Sequence, residues 1–426
     1  MTAVVGILNK QAIAVAADSA VTISGNNGRK IFNHANKIFR LSYGQPVGIM
    51  IYNSANFMQT PWEILIKVYR EQLGKKVFPK LEDYQKDFLK FLKNKNYYTD
   101  SDGQKQACLE FCHNIFGIIK KQAFEKLQNQ VPLSPDQIAA GISAQIQSVH
   151  QQLANAPPFI CGELASYTRA QFDVFFNDIL EATIKQNFED INLAINDADK
   201  ILVKNIVFEI LKSTNFLNNF TGLIFIGYGV SEIFPSLLPL QISFVVENRL
   251  RYTTDEKMRA QISLQTGSVI RPFAQTDVID TILTGIDPTL ENLYNTNFNT
   301  FLTQYNQFLI TQIGASNPDL VSRIQNINVQ EIVNQQMQNF LETKRIKYIE
   351  PLMNAVGTLA KEDLAEMAES LIYLTYLKRR ITFAEESVGG PVDVAIISKT
   401  DGFIWIKRKH YFSPELNHHF FTNYNK

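Results

Sequence analysis

The chain has 426 residues, of which 45% are hydrophobic, and its 41 Lys and Arg residues balance 41 Asp and Glu residues. This length is enough for one large domain or two ordinary ones, each with an apolar core. Zero net charge gives no electrostatic basis for binding nucleic acid or an anionic membrane, and we expect neither partner. We find no signal peptide and no apolar run of the roughly 18–20 residues that a bilayer requires, so we expect a cytoplasmic protein.

Three cysteines are few for a chain of this length. Cys108 and Cys112 are four residues apart in a predicted helix and His113 follows, a spacing that suggests part of a metal site. Two thiols and one imidazole pointing in different directions do not make a closed zinc site. We therefore expect buried thiols in a reducing compartment, and neither a metal nor an organic cofactor.

The first residues of the chain predict a β-hairpin. Two apolar runs, 2–8 and 12–17, flank the polar step Asn9-Lys10, which is typical of two antiparallel strands joined by a short turn. A two-residue turn would pair positions whose numbers add up to about 19, which places Thr2 beside Ala17.

A hydroxyl, a carboxylate and an amine are then expected at one end of this hairpin. Asp18 follows the second strand, and Lys37 opens another short predicted strand, 37–41. Removal of Met1, which the small residue Thr2 favours, would give Thr2 a free α-amine with an ordinary pKa of about 7.7–8.0. That amine can take the proton of the Thr2 hydroxyl, Lys37 can favour the alkoxide, and Asp18 can orient Lys37. The structural alternative is a frayed terminus, a turn aspartate and a solvated lysine.

These residues resemble a known family. Thr2, the segment 16–19 and Lys37-Ile38-Phe39 resemble the start of proteasome β subunits and related bacterial peptidases, which are N-terminal-nucleophile (Ntn) hydrolases. The resemblance implies an α+β fold, a four-layer αββα sandwich, here with two largely helical insertions. It also implies that Thr2 is the nucleophile and that Asp18 and Lys37 are the buried aspartate and the lysine of the active site.

The same resemblance suggests three supporting positions. The backbone N–H of the oxyanion hole would fall near Tyr52, where this chain lacks the family's Gly-Gly step. Near the C terminus, the family's acid and serine precede another Gly-Gly step, which here is Gly389-Gly390. Glu385 takes the acid position, and Ser387 lies one residue from the serine position. A plain turn with solvated glutamates is the alternative interpretation.

The rest of the chain alternates between core-type segments and helical segments. Gly227-Tyr228-Gly229 lacks the third glycine and the Lys-Ser/Thr of a phosphate loop, and we interpret it as a strand end. We predict the following segments: 1–95, N-terminal part of the core; 96–219, helical insertion; 220–286, core strands; 287–350, second helical insertion; 351–412, C-terminal part of the core; 413–426, tail.

The sequence thus predicts a threonine-type Ntn amidohydrolase, a peptidase activated by removal of Met1, acting on a peptide or amide. One alternative is a catalytically silent scaffold that interacts through its helical insertions, because several supporting positions depart from the family pattern. Another is an acylase for small amides. The resemblance implies a homo-oligomer, and the sequence does not identify an ATPase or other regulatory partner.

Overall fold

The structure, a computed structural model, describes residues 2–25, 28–93, 100–127, 134–155, 159–189, 193, 195–313, 317–382 and 388–424. They form an α+β protein with antiparallel sheets. The strands are β1 (Ala3–Asn9), β2 (Ile13–Ala17), β3 (Val21–Gly25), β4 (Gly28–Phe32), β5 (Ile38–Arg40), β6 (Val47–Asn53), β7 (Asn56–Phe57), β8 (Thr60–Pro61), β9 (Thr221–Gly227), β10 (Ser236–Val246), β11 (Arg249–Thr254), β12 (Ala260–Gln261), β13 (Ser268–Ala274), β14 (Asp393–Ser398) and β15 (Gly402–Lys407).

The α-helices are α1 (Trp62–Leu73), α2 (Leu81–Lys93), α3 (Ser101–Leu127), α4 (Pro135–Asn155), α5 (Arg169–Ile184), α6 (Asp197–Lys212), α7 (Asp277–Thr284), α8 (Pro288–Ile313), α9 (Pro318–Gln325), α10 (Val329–Lys344), α11 (Glu350–Thr358), α12 (Lys361–Ile381) and α13 (His418–Tyr424). Within the described ranges, every helix is too short or too polar to span a lipid bilayer.

The chain forms two compact units. The first unit contains Met1–Ile38, Ile233–Ser236 and Ala260–Lys426, and the second contains Phe39–Glu232 and Leu237–Arg259. These two units are not the segments that we predict from the sequence. The division into core segments and helical insertions stays a prediction.

The first unit is built on a five-stranded sheet with the order β13-β1-β2-β14-β15. β1, β2 and β14 are buried along their whole length because they occupy the middle of this sheet. Alternate residues of β1 and β2 pack against α7, α11 and α12, where Ile279, Val356 and Leu364 are buried. This apolar core holds the N-terminal strand between two neighbours.

The turn between β1 and β2 is longer than the sequence predicts. Asn9 Oδ1 accepts hydrogen bonds from the N–H groups of Gln11 and Ala12 at 2.9 and 3.2 Å, so the turn runs from Asn9 to Ala12. Val4 therefore pairs with Ala17, and paired positions add up to 21. The shift is by two residues, so each side chain keeps its face of the sheet.

The second unit has a sheet with the order β11-β10-β9-β6-β5. α1 and α2 cover one face with a cluster of aromatic side chains that includes Trp62, Tyr69 and Phe88. α1 begins only at Trp62, because Met58 and Gln59 have positive φ and form the turn of the β7–β8 hairpin.

The helices α3 to α6 form a second apolar cluster in this unit. At its edge the buried Arg251 donates hydrogen bonds to the carbonyls of Ile210, Leu211, Ser213 and Asn215, which lie in and just after the last turn of α6. A cation at this position satisfies the carbonyl groups that a helix C terminus leaves unpaired.

Candidate active site

The register of the first hairpin determines where Asp18 lies in the candidate site. Because Val4 pairs with Ala17, the next pair along the sheet is Ala3 and Asp18. The Asp18 N–H donates to the Ala3 carbonyl at 3.2 Å, and the Ala3 N–H donates to Asp18 Oδ1 at 3.0 Å. The Asp18 carboxylate is thereby fixed to the residue that directly follows Thr2.

Four donors surround the Asp18 carboxylate, which is 1% exposed. Oδ1 accepts from Ala3 N–H and from Lys37 Nζ, the latter at 2.5 Å. Oδ2 accepts from the N–H groups of Ala20 and Gly389, each at 3.1 Å. A carboxylate removed from water is tolerated only with such partners, so the surrounding chain is organised to hold this charge.

Lys37 is equally buried. Its ammonium donates to Asp18 Oδ1 and, at 2.7 Å, to the Ala20 carbonyl. Burial lowers the pKa of Lys37 from 10.5 and is the largest effect; Asp18 opposes it, the positive charge of Lys409 adds to it, and Asp393 opposes it. The lysine thus loses its proton more readily than a solvated lysine, while Asp18 keeps it oriented.

Thr2 lies at the edge of this arrangement with 3% of its surface exposed. Its carbonyl accepts a hydrogen bond from Gln275 N–H at 3.1 Å, and the adjacent Ala3 pairs with Ala274 of β13. The backbone of Thr2 is therefore held by β13, and that of Ala3 by Asp18 as well. Thr2 is not a frayed terminus.

The Gly389-Gly390 step encloses the same carboxylate. Gly389 donates its N–H to Asp18 and accepts the Ser19 N–H at 3.0 Å through its carbonyl. Gly390 has φ +76°, and a Cβ there would lie 2.8 Å from the carbonyl oxygen of Asn33. Glycine is needed because the chain passes this close to another backbone in a left-handed conformation.

Sequence reasoning missed a second ion pair in the first unit, between Asp393 and Lys409. Lys409 donates from its backbone N–H to Asp393 Oδ1 at 2.9 Å and from Nζ to Oδ2. The signal for it in the sequence is a charged residue, Asp393, at the start of an apolar strand.

The remaining predicted positions are less informative. Glu385 and Ser387 lie outside the described residues. Tyr52 lies on β6 of the second unit, where it pairs with Gly222 and its ring packs on that glycine. Burial raises the pKa of the Tyr52 hydroxyl to about 12. The proposed role of its backbone N–H stays a prediction.

The cysteines do not form a metal site with His113 or with one another. Cys108, Cys112 and Cys161 are free and buried, and burial raises the pKa of each thiol. In the part of the chain that the structure describes, no group of three or more His, Cys, Asp or Glu side chains is arranged to hold a metal ion.

The solved structures that are similar to this chain include two Anbu proteins. An Anbu mutant from Hyphomicrobium sp. strain MC1 is 9% identical with a TM-score of 0.27, covering 100% of this chain and 92% of that one. Anbu (ancestral beta-subunit) from Yersinia bercovieri is 8% identical with a TM-score of 0.25, covering 99% of this chain and 93% of that one. No protein-family model and no curated protein matches the chain.

These findings correct the sequence analysis: the assignment to the proteasome β-subunit-like Ntn hydrolase family is wrong. The solved structures that resemble this chain are Anbu proteins at 8–9% identity with TM-scores of 0.25–0.27, a similarity too weak to carry that assignment. The resemblance rested on short motifs, strongest near the two ends of the chain, and motifs of that length can coincide in unrelated proteins. A function for this chain therefore has to be inferred from the geometry of the site.

Proposed function

We propose that this chain is an N-terminal-threonine amidohydrolase with Thr2 as its nucleophile once Met1 has been removed. One observation carries the proposal: Asp18 Oδ1 accepts both from the N–H of the residue after Thr2, at 3.0 Å, and from the buried Lys37 ammonium, at 2.5 Å. The residue that directly follows Thr2 and a buried cation thus share one carboxylate oxygen.

The chemistry needs no group beyond these residues and a water molecule. The free Thr2 amine takes the proton from Oγ, and Oγ attacks the amide carbonyl carbon to form a C–O bond. The amine then returns the proton to the leaving nitrogen as the C–N bond breaks, which leaves an ester on Thr2. Water, deprotonated by the same amine, attacks the ester carbonyl carbon; the C–O bond to Oγ breaks, the carboxylic acid leaves, and the amine returns the proton to Oγ. Lys37 favours the developing negative charge on Oγ throughout, and Asp18 holds Lys37 in place.

The substrate class we propose is a peptide, with a small amide as the alternative. The four-layer αββα sandwich, a cytoplasmic location and self-association are expectations that accompany this proposal and stay predictions.

The test starts with the mass and N-terminal sequence of the protein purified from its native host. We expect a chain that begins at Thr2 and hydrolyses members of a panel of fluorogenic peptide amides and small acyl amides. Thr2→Ala should reduce kcat/KM by about 10³-fold or more, since the nucleophile is gone, whereas Thr2→Ser should keep measurable activity. Lys37→Met should lose activity, and because it also removes the counter-ion of the buried Asp18 carboxylate, its folded fraction is measured in the same experiment.

The matched control is Lys10→Met, which removes an exposed lysine from the turn of the same hairpin and should leave kcat/KM unchanged. Full activity in Thr2→Ala would contradict the mechanism. A mature chain that retains Met1 would also contradict it, because an acylated nitrogen cannot act as the base, and would favour the catalytically silent scaffold.

A further inference from the structure

Helix α8 of the first unit has two apolar faces. On its inner face, Phe298, Leu302 and Leu309 are partly buried, and the helix packs against α9 and α10. The outer face carries six large apolar side chains that are each 49% to 59% exposed: Leu290, Leu293, Tyr294, Phe301, Tyr305 and Phe308. A helix that is apolar on both sides is normally covered on both sides, so the outer face calls for a partner.

The outer face is a regular stripe with Phe301 at its centre. Tyr294 and Phe308 lie seven residues before and after Phe301, and Asn297 and Tyr305 lie four residues before and after it. Seven and four residues are about two turns and one turn of an α-helix, so these five side chains project from one side. The spacing is the same in both directions along the helix. A second copy of the stripe in antiparallel orientation would therefore match the first position by position.

The outer face carries no charge and few polar groups that need water. Glu291 is the single charged residue of α8, and Lys344 donates to both of its carboxylate oxygens, at 2.8 and 2.7 Å. Thr300 and Thr311 flank the stripe and donate their hydroxyls to carbonyls four residues earlier, at 2.9 and 2.8 Å. A charged partner surface would lose its water without gaining a counter-ion. The surface that covers this face must therefore be uncharged, and the same face of a second copy is.

The exposed apolar area is large enough for a pair. A large aromatic side chain buries about 150–250 Å², so six large side chains that are half exposed present on the order of 600 Å². Two copies would together bury on the order of 1,200 Å², and specific stable interfaces bury roughly 1,200–2,000 Å². Two α8 helices alone thus reach the area that a homodimer needs.

We propose that α8 is a dimerisation helix, and that the outer faces of two copies pack antiparallel about a two-fold axis at Phe301. In this arrangement Phe301 contacts the partner subunit's Phe301, and Tyr294 contacts the partner subunit's Phe308. Asn297 lies opposite the partner subunit's Tyr305, where an amide and a hydroxyl can form a hydrogen bond. Every contact joins two positions of the same stripe, as a two-fold interface requires. The inference does not rest on the proposed function, because it involves neither Thr2 nor its chemistry.

Disulfide cross-linking tests both the pairing and its direction. The native cysteines are free and buried, so a cysteine placed on the outer face of α8 reports on that face. Phe301→Cys should form a disulfide-linked dimer under mild oxidation with copper phenanthroline, because a disulfide joins Cα atoms about 4.4–6.8 Å apart. Tyr294→Cys should not link to itself, since two copies of this position would lie about 21 Å apart at a rise of 1.5 Å per residue. A mixture of Tyr294→Cys and Phe308→Cys should link one variant to the other.

The control for chance collisions is Val174→Cys, which places a thiol at an exposed apolar position of α5 and should stay unlinked. Self-linking of Tyr294→Cys without linking of the mixture would overturn the antiparallel arrangement. Linking of Val174→Cys to the same extent as Phe301→Cys, or the absence of every link on α8, would overturn the inference as a whole.

Two substitutions at the proposed axis give an independent measurement. Phe301→Glu would bury two carboxylates against each other and should raise the dissociation constant of the dimer about 100-fold or more, measured by sedimentation equilibrium. Phe301→Leu keeps the position apolar and should leave the protein dimeric. Both variants should unfold at the wild-type temperature when measured as monomers, because this side chain is exposed in the single chain. An unchanged dissociation constant in Phe301→Glu would overturn the inference, as would a wild-type protein that is monomeric at every concentration.

Discussion

Asp18 Oδ1 accepts a hydrogen bond from the N-terminal strand and another from the buried Lys37 ammonium. This double contact makes the position of the lysine depend on the position of the strand that carries Thr2. Asparagine at position 18 could accept one of these bonds, but it would leave the Lys37 cation in a buried place without a counter-ion, which is strongly destabilising.

The two amines of the proposed site give opposite pH dependences. The Thr2 amine must be uncharged, so kcat/KM should rise as that group loses its proton, near its ordinary pKa of about 7.7–8.0. Lys37 must be charged, and burial places its pKa below 10.5, so kcat/KM should fall before an ordinary lysine would titrate. We expect a bell-shaped profile of kcat/KM, which reports the pKa values of the free enzyme.

Lys37→Arg provides the control for this profile because arginine stays protonated in the accessible pH range. Whatever activity this variant keeps should lack the alkaline limb. An unchanged alkaline limb in Lys37→Arg would assign that limb to a different group.

The sequence contains enough information to place Asp18 and Lys37 near Thr2, but not enough to find their other partners. Asp18 and Lys37 are close to Thr2 along the chain, and local strand pairing brings them together. Gly389 is 371 positions away from Asp18 and reaches it from the segment just before β14, which pairs with β2. Such tertiary pairing leaves no local pattern in one sequence.

At the level of the first hairpin, the prediction was wrong by two residues of register. Asn9 is read from sequence as half of a two-residue turn, but its side chain stabilises a four-residue turn and also donates to the carbonyls of Val356 and Leu359, at 3.1 and 2.9 Å. Contacts with the C-terminal end of α11, far along the chain, therefore stabilise the four-residue turn. The longer turn is what brings Asp18 directly opposite Ala3.

The segment before β14 allows a stability test at the same scale. Gly390→Ala should lower the free energy of unfolding by about 2–3 kcal/mol, because a left-handed conformation is unfavourable for alanine and its Cβ would lie 2.8 Å from the Asn33 oxygen. Urea denaturation measures the change, and hydrogen exchange in β1 and β2 should show that the loss is in the first unit.

Gly267→Ala is the matched control in the same unit, because no atom lies within 4 Å of a Cβ at that glycine. Its stability should stay within about 0.5 kcal/mol of wild type. Equal stability of the two variants would mean that the backbone at Gly390 adapts without loss.

At the scale of the whole molecule, α8 differs from the other long helices. None of its side chains is buried, and large apolar ones are exposed along it: Leu290, Leu293, Tyr294, Phe301, Tyr305 and Phe308. Its single charged residue, Glu291, is paired with Lys344 at 2.7 Å. A second copy of this helix could therefore pack here without burying an unpaired charge.

The expectation of a homo-oligomer can be tested on this helix. We expect sedimentation equilibrium to give a mass that is a multiple of 48.5 kDa, and replacement of Phe301 and Phe308 by Ser to shift it toward the monomer. Val174→Ser, which changes an exposed apolar residue on α5, is the control. A monomeric mass at all protein concentrations would contradict the expectation of a homo-oligomer.

The hydrogen bond from Gly389 to Asp18 joins two residues that the ribosome adds at very different times. At about 5–20 residues per second of synthesis, the 371 positions between these residues take roughly 20–70 seconds to translate. During that interval the Thr2 amine can already have been released on the ribosome, while Asp18 still lacks the N–H of Gly389 and β2 lacks β14. In the proposed mechanism, the surroundings of Thr2 are therefore complete only when nearly all of the protein has emerged.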